Sequence, residues 1–158
     1  MAEISVLTHG YGDEITTVST SLSYKPGETR LILHPTLGLQ EYVYIRNTAG
    51  SALALGLGVM FKNGANDFLQ TSLSGAACSR PRFVGIAQWA IADNSYAWVL
   101  RRGQGAFKAS AAAIGANASV KPVANGLFTD GVVGTDDLVG FCGIAAAAAA
   151  TTVGYIAG

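Results

Sequence analysis

A chain of 158 residues is long enough for one domain with a sizeable core, and its ten basic residues cancel its ten acidic ones. Only 13% of residues are charged, about half the usual share, and much of the 50% hydrophobic content is carried by small side chains, 26 alanines beside 20 glycines. Zero net charge excludes electrostatic capture of nucleic acid, which needs a basic field, and a surface so poor in charge points to a protein covered by partners rather than a free monomer.

The opening "MAEISVLTHGYGDE" has neither the basic start nor the apolar run of a secretory signal, so use in the cytosol, or release by lysis, is expected. Residues 1–40 are hydroxyl-rich ("TTVSTSLSY"), turn at "KPGE", and place Pro35 after His34. The alternation in "ITTVSTSLSY" permits a strand but offers few bulky residues to bury. This segment reads as an extended N-terminal arm that needs a neighbour for order; the alternative is a first edge strand of the domain.

From Glu41 the chain reads as short strands. "EYVYIRNT" sets Tyr42, Tyr44 and Arg46 on one face and Val43 and Ile45 on the other, a period of two that predicts a half-buried strand. "LGVMFKNGAN" is a strand entering an Asn63-Gly64 turn. "RFVGIAQWAIADNSYAWVLRRG" predicts two strands joined at Asp93-Asn94-Ser95, with Tyr96, Trp98 and Leu100 on one face, Ala97, Val99 and Arg101 on the other, and Trp89 across from Val99 and Trp98 as a hairpin aromatic. "QGAFKAS" continues after a glycine break. Residues 118–137 are short strands broken at Pro122, Asn125-Gly126, Asp130-Gly131 and Gly134, and "LVGFCGIAAAAAATTVGYIAG" supplies two more strands. The alanine runs at 110–118 and 144–152 suit a helix by propensity, but no 3.6-residue stripe accompanies them, and 143–150 is read as a tightly packed strand. Turn signals about every ten residues predict an all-β fold, a compact β-barrel or β-sandwich. The organisation is an arm over 1–40 and a β-rich domain over 41–158. The last sixteen residues are too alanine-rich, and too interrupted by Thr151 and Thr152, to span a bilayer.

Reactive chemistry is hard to place on this chain. His9 and His34 both lie in the arm, and no Gly-x-Ser-x-Gly elbow occurs. Cys78 and Cys142 are too few for a disulfide scaffold and read as two free, buried thiols. Asp136 and Asp137 are the one adjacent carboxylate pair and read as a solvated turn rather than a metal site. "GLGVMFKNG" lacks phosphate-loop spacing, and Lys62 lacks the flanks of a lipoyl or biotinyl site. Arg101-Arg102 beside Trp98 is too small a basic groove for single-stranded nucleic acid. No enzyme, cofactor or metal is expected.

The order "VGIAQWAI", turn, "YAWVLRRGQGAFKAS", then "ANGLFTDG", then the small-residue pair at the end resembles the small capsid decoration, or cement, proteins of tailed bacteriophages. The upstream "EYVYIRNTAGSALALGLGVMFKNG" fits that family's opening strands, so the likeness covers residues 41–158, through motifs that are structural rather than catalytic. It implies a β-rich domain, usually trimeric, seated at three-fold or quasi-three-fold positions outside an icosahedral head. Its partners would be the major capsid protein and copies of itself, not nucleic acid or membrane. Its place would be the outer capsid surface of the virion, after assembly in host cytoplasm. In that role the arm is the natural clamp, adding a strand to a neighbour's sheet edge. The expected interface residues are Ile4, Val6, Leu7, Ile15, Val18, Leu22 and Tyr24 of the arm, with a basic ridge of Arg80, Arg82, Arg101 and Arg102. Removing residues 1–30 should then abolish capsid binding while the body still folds. The rival reading is a phage-borne β-sandwich module for carbohydrate or host surface, with Tyr42, Tyr44, Tyr96 and Trp98 stacking on sugars. Exposure of those rings would favour it, and burial would favour a shell component.

Overall fold

The computed structural model describes residues 6–7, 13–62, 67–69, 71–74, 78–143 and 145–157. Its strands in chain order are β1 (Val6–Leu7), β2 (Thr29–His34), β3 (Gly38–Arg46), β4 (Gly58–Phe61), β5 (Thr71–Leu73), β6 (Phe83–Ile86), β7 (Tyr96–Lys108), β8 (Ala118–Pro122), β9 (Phe128–Asp130), β10 (Gly140–Cys142) and β11 (Thr151–Ala157). A four-residue helical turn, α1 (Asp13–Thr16), precedes β2. The fold is all-β, as the turn spacing predicts. Every ladder is antiparallel except the short parallel pairing of β1 with β2.

One strand organises the rest. β7 runs for 13 residues without interruption, through the glycine at which a break was expected. Its first half pairs with β3, its second half with β11, and Leu100 pairs with Ile86 of β6. Gly103 sits at φ 111°, and a Cβ there would lie 2.6 Å from the Leu39 carbonyl oxygen, so only glycine lets β3 pass this closely.

The sheet curls twice, and β7 belongs to both curls. The path β3–β7–β6–β4–β5 returns to the end of β3 through a parallel bridge between Asn47 and Thr71. The path β7–β11–β10–β8–β9 returns to the end of β7 through a parallel bridge between Ala109 and Phe128. Each return is a single bridge, so the ladder is not closed as a full barrel would be. The first curl encloses Val43, Ile45, Val59, Val84, Ala97 and Val99. The second encloses Phe107, Val120, Phe128, Cys142 and Ile156, with the Phe107 and Phe128 rings edge to face at 5.0 Å. Gly140 and Gly154 make room for Phe107: a Cβ on either would come within 2.9 Å of its ring.

The two cores lie on opposite faces of the sheet. The register between β3 and β7 shifts between Glu41 and Tyr42, where Tyr42 faces Leu100 and Glu41 faces Arg102. Arg101 is the extra residue of this β-bulge. Before it, odd-numbered residues of β7 point to the first core; after it, even-numbered residues share that face, and Gly103, Gly105 and Phe107 point to the second core.

β3 is not the half-buried strand its alternation predicts. Tyr42, Val43, Tyr44 and Ile45 are each 2% exposed or less. Val43 and Ile45 fill the first core, while on the reverse face Tyr44 is covered by Tyr24 of the preceding chain and Tyr42 by Trp89. That covering changes the picture of the arm. Ile15 of α1 is fully buried, Ser19 forms a bridge with Tyr96, and Tyr44 exchanges backbone hydrogen bonds with Gly27 and Glu28. β2 and β3 form a hairpin with six register pairs, so the boundary expected after residue 40 falls inside β3. Residues 13–40, expected to extend towards a neighbour, are packed on their own body.

Two further expectations change. Trp89 does not stand across from Trp98: Ile91 pairs with Leu53 there, and Trp89 stacks on Tyr42 at 5.8 Å. The alanine run at 145–150 is neither strand nor helix but a loop, tied to the other alanine loop by reciprocal hydrogen bonds between Ile114 and Ala146 and turned at Ala149 with φ 59°. The turn before β7 is present, with Asn94 at φ 58°, and the buried Asn47 amide secures it by donating to the carbonyls of Ser51, Ile91 and Ala92. The Asn63-Gly64 turn lies outside the described residues.

Candidate interaction surface

Beyond the Arg101 bulge, the face that forms the first core emerges uncovered. Its rows follow from register. Leu31 of β2 faces Glu41 of β3, Glu41 faces Arg102 of β7, and Arg102 faces Ala157 of β11. In the neighbouring row Leu33 faces Leu39, while Gln104 faces Tyr155, Tyr155 faces Phe141 of β10, and Phe141 faces Ser119 of β8. Val153 lies two residues from Tyr155 on the same side. Leu33, Leu39, Phe141, Val153 and Tyr155 are 41–58% exposed, five large apolar side chains on one sheet face. A groove of about 440 Å³ lined by Leu31, Leu39, Glu41, Arg102 and Tyr155 joins the two apolar pairs. Contiguous exposed apolar surface of this kind marks an interaction site more often than a bare surface.

The charge on this face is uneven. Across β2, β3, β7, β10 and β11 it carries Arg102 and Lys108, with Arg101 at the bulge, against the single carboxylate of Glu41, which holds Arg101 at 3.7 Å. Arg80 joins the rim by donating to the Ala157 carbonyl at 2.9 Å. Where β3 has left β7, two glutamine side chains replace the missing strand. Gln40 donates to the Gln104 carbonyl, and Gln88 both accepts from Ala106 N–H at 2.9 Å and donates to its carbonyl at 3.3 Å. The edge is thus satisfied by side chains, which holds this part of β7 in place.

The expected interface residues separate. Arg80, Arg101 and Arg102 gather at the end of β11. Arg82 turns away and donates to the Phe61 carbonyl at 3.0 Å. Val6 and Leu7 form β1, and Ile4 lies outside the described residues. Ile15 is interior, Val18 is half-buried against the first core, and Leu22 is exposed. Tyr24 is half-buried, its ring 5.3 Å from both Tyr44 and Trp98, and Arg30 lies 4.3 Å from the Tyr24 ring centre and 4.7 Å from that of Trp98. Ile15, Val18 and Tyr24 thus fasten the segment to its own domain. The apolar face itself was missed, although a signal was present: in "TTVGYIA" the larger residues Val153 and Tyr155 alternate with Gly154, and the glycine marks the inward side.

The aromatics offered for sugar stacking are interior. Tyr42, Tyr44 and Trp98 are 2% exposed or less, and Tyr96 is half-buried on Tyr44. A pyranose cannot reach rings that the fold already covers.

The remaining chemistry is structural in character. Both cysteines are free and buried, as expected. Burial pushes the Cys78 thiol up to about 11, with Arg82 opposing and Asp137 adding to the shift. Because the thiolate is the nucleophile, iodoacetamide at pH 8 should label Cys78 slowly in the folded protein and quickly in urea, a contrast that mass spectrometry of the labelled peptide reads directly. The folded state keeps a proton that the unfolded chain releases near 9, so stability should fall as pH rises from 9 towards 11. Asp136 accepts from Val132 N–H and from Lys121 at 2.9 Å, and these two donors hold its carboxyl below the usual range. His34 Nδ1 accepts from Leu37 N–H at 3.1 Å and closes the β2–β3 turn, while His9 lies outside the described residues. Among the described residues no group of three or more His, Cys, Asp or Glu is placed to hold a metal ion, and no helix is long and apolar enough to cross a membrane.

No protein-family model and no curated protein matches this chain. Among solved structures it is similar to the head fiber gp8.5 N base of bacteriophage phi29, with 12% identity and a TM-score of 0.51 over 73% of this chain and 94% of that one. At that identity the likeness is one of fold: the chain shares its β architecture with the base of a phage head fiber.

Proposed function

We propose that this protein is a structural component of the outside of a bacteriophage head, a decoration or cement protein that binds the major capsid protein and stabilises contacts between shell subunits. The observation that carries the reading is the fold shared with a head fiber base over 94% of that chain. An uncovered apolar sheet face supports it, because exposed apolar patches of this kind mark interaction surfaces. The role assigned is mechanical rather than catalytic. A thin shell under internal DNA pressure fails where subunits separate, and a protein bridging them adds contact that must be lost first. Association as a homotrimer at three-fold positions would repeat that contact and raise its effective strength without new chemistry.

Mass spectrometry of purified particles tests this. With a homotrimer at every three-fold position, the chain should be present at on the order of one copy per shell subunit. Heads lacking it should burst at lower temperature. Its absence from particles, or turnover of a substrate by the free protein, would overturn the reading.

A further inference from the structure

We infer that the open face of β2, β3, β7, β11 and β10 is the surface that seats on the shell, and that it fits a protein surface with an apolar centre flanked by carboxylates. The inference rests on the proposed place on a phage head and goes beyond it, naming the face and the chemistry of its partner.

Three observations carry it. The apolar centre is built, not incidental: Tyr155 and Phe141 are direct register partners, Leu33 and Leu39 are another such pair, and the groove between them is lined by residues from both sides. Tyrosine, phenylalanine and arginine are also the residue types that carry binding energy in protein interfaces. The face is rigid as well, since the Gln40 and Gln88 amides close the backbone of β7 beneath it, so little order must be gained on docking.

Charge then selects the partner. Arg101, Arg102 and Lys108 stand on the face, Arg80 stands on its rim, and Glu41 already faces Arg101. Two copies meeting through this face would bring Arg102 and Lys108 against like charges, which disfavours a second copy as the occupant. A shell surface bearing Asp or Glu around an apolar patch would match the rim, steer the approach and fix the docking angle.

The test uses heads of the parent phage produced without this protein, with full-length chain added back and bound protein measured by co-sedimentation. Tyr155→Ser, Phe141→Ser and Arg102→Glu are compared with the wild type. All three positions are solvent-facing, and circular dichroism melts confirm folding. Each variant should weaken binding about tenfold or more. Wild-type binding should also weaken between 50 and 500 mM salt on the order of severalfold, because exposed charges are screened. Failure of the wild type to bind would sink the proposed function itself. Binding by the wild type with all three variants unimpaired would leave that function standing and overturn the assignment of this face. A change in the mass of the free oligomer by light scattering, with head binding retained, would assign the face to a second copy and overturn it equally. Binding insensitive to both salt and Arg102→Glu would remove the acidic partner.

Discussion

Trp98→Ala should lower the free energy of unfolding by about 3–5 kcal/mol, the range for removing a fully buried large aromatic. Trp98 is 0% exposed, and its ring centre lies 5.1 Å from that of Tyr44 and 5.3 Å from that of Tyr24. Each such aromatic contact adds about 0.5–1.5 kcal/mol beyond area burial. The loss reaches further than one cavity. Arg30 lies over both Trp98 and Tyr24, so removing the indole takes away the surface on which the segment before β2 is held. Urea unfolding followed by circular dichroism should show the midpoint fall by more than about 1 M, given usual urea slopes. Limited proteolysis of the variant should open new sites between Thr17 and Glu28. Trp98→Phe should recover much of the loss, because the indole N–H has no hydrogen-bond partner among the described residues and its removal costs nothing polar. An unchanged midpoint in Trp98→Ala would mean that the ring does not hold the segment.

Truncation of residues 1–30 should leave a protein that no longer folds cooperatively, or one weakened by more than about 3 kcal/mol, which is the burial of Ile15 plus the backbone pairings of the segment. The cut removes Ile15, the Ser19–Tyr96 bridge, the hydrogen bonds from Gly27 N–H to the Tyr44 carbonyl and from Tyr44 N–H to the Glu28 carbonyl, and the first two residues of β2. Tyr44 and Trp98 would then lose the cover of the Tyr24 ring. Truncation of residues 1–12 removes none of these and, among the described residues, takes only β1; its cost should be smaller, about 1–2 kcal/mol, the scale of one or two backbone hydrogen bonds. Differential scanning calorimetry of the two truncations separates them. If the longer truncation melted like the full chain, the packing of residues 13–30 on the body would be contradicted. The comparison also bears on head binding, since a loss seen with the longer truncation would report unfolding, whereas a loss seen with the shorter one would report a true clamp.

What could be read from residue order was whatever is local. The alternation of Tyr42, Val43, Tyr44 and Ile45 gave a strand, that of Tyr96 through Leu100 gave another, and Asn94, Asn125 and Gly126 marked turns where a positive φ is needed. What could not be read depends on partners far away in the chain. The alternation in β3 shows two faces but not that both are covered, because the second cover comes from Ile15 and Tyr24. Trp89 looks like a partner for Trp98 by counting through the turn, but Leu53 takes the register of Ile91 instead. The bulge at Arg101 leaves no mark in composition and reverses which residues of β7 are interior. The open apolar face was hidden by the same reversal, since Arg102 and Lys108 look like the end of a strand until β11 is laid beside them. The segment before β2 was misread for a related reason: its few bulky residues suggested that it buried little, yet Ile15 and Tyr24 join the second core and Val18 packs on the first.

The bulge also separates two kinds of inheritance. On the far side of Arg101, Arg102 and Tyr155 are free of packing duties, while Gly103, Phe107, Gly154 and Ile156 on the reverse are bound to the interior. Substitutions can therefore be accommodated on one side of these strands while the reverse stays fixed. A single inserted kink lets the same few strands be conservative and adaptable at once.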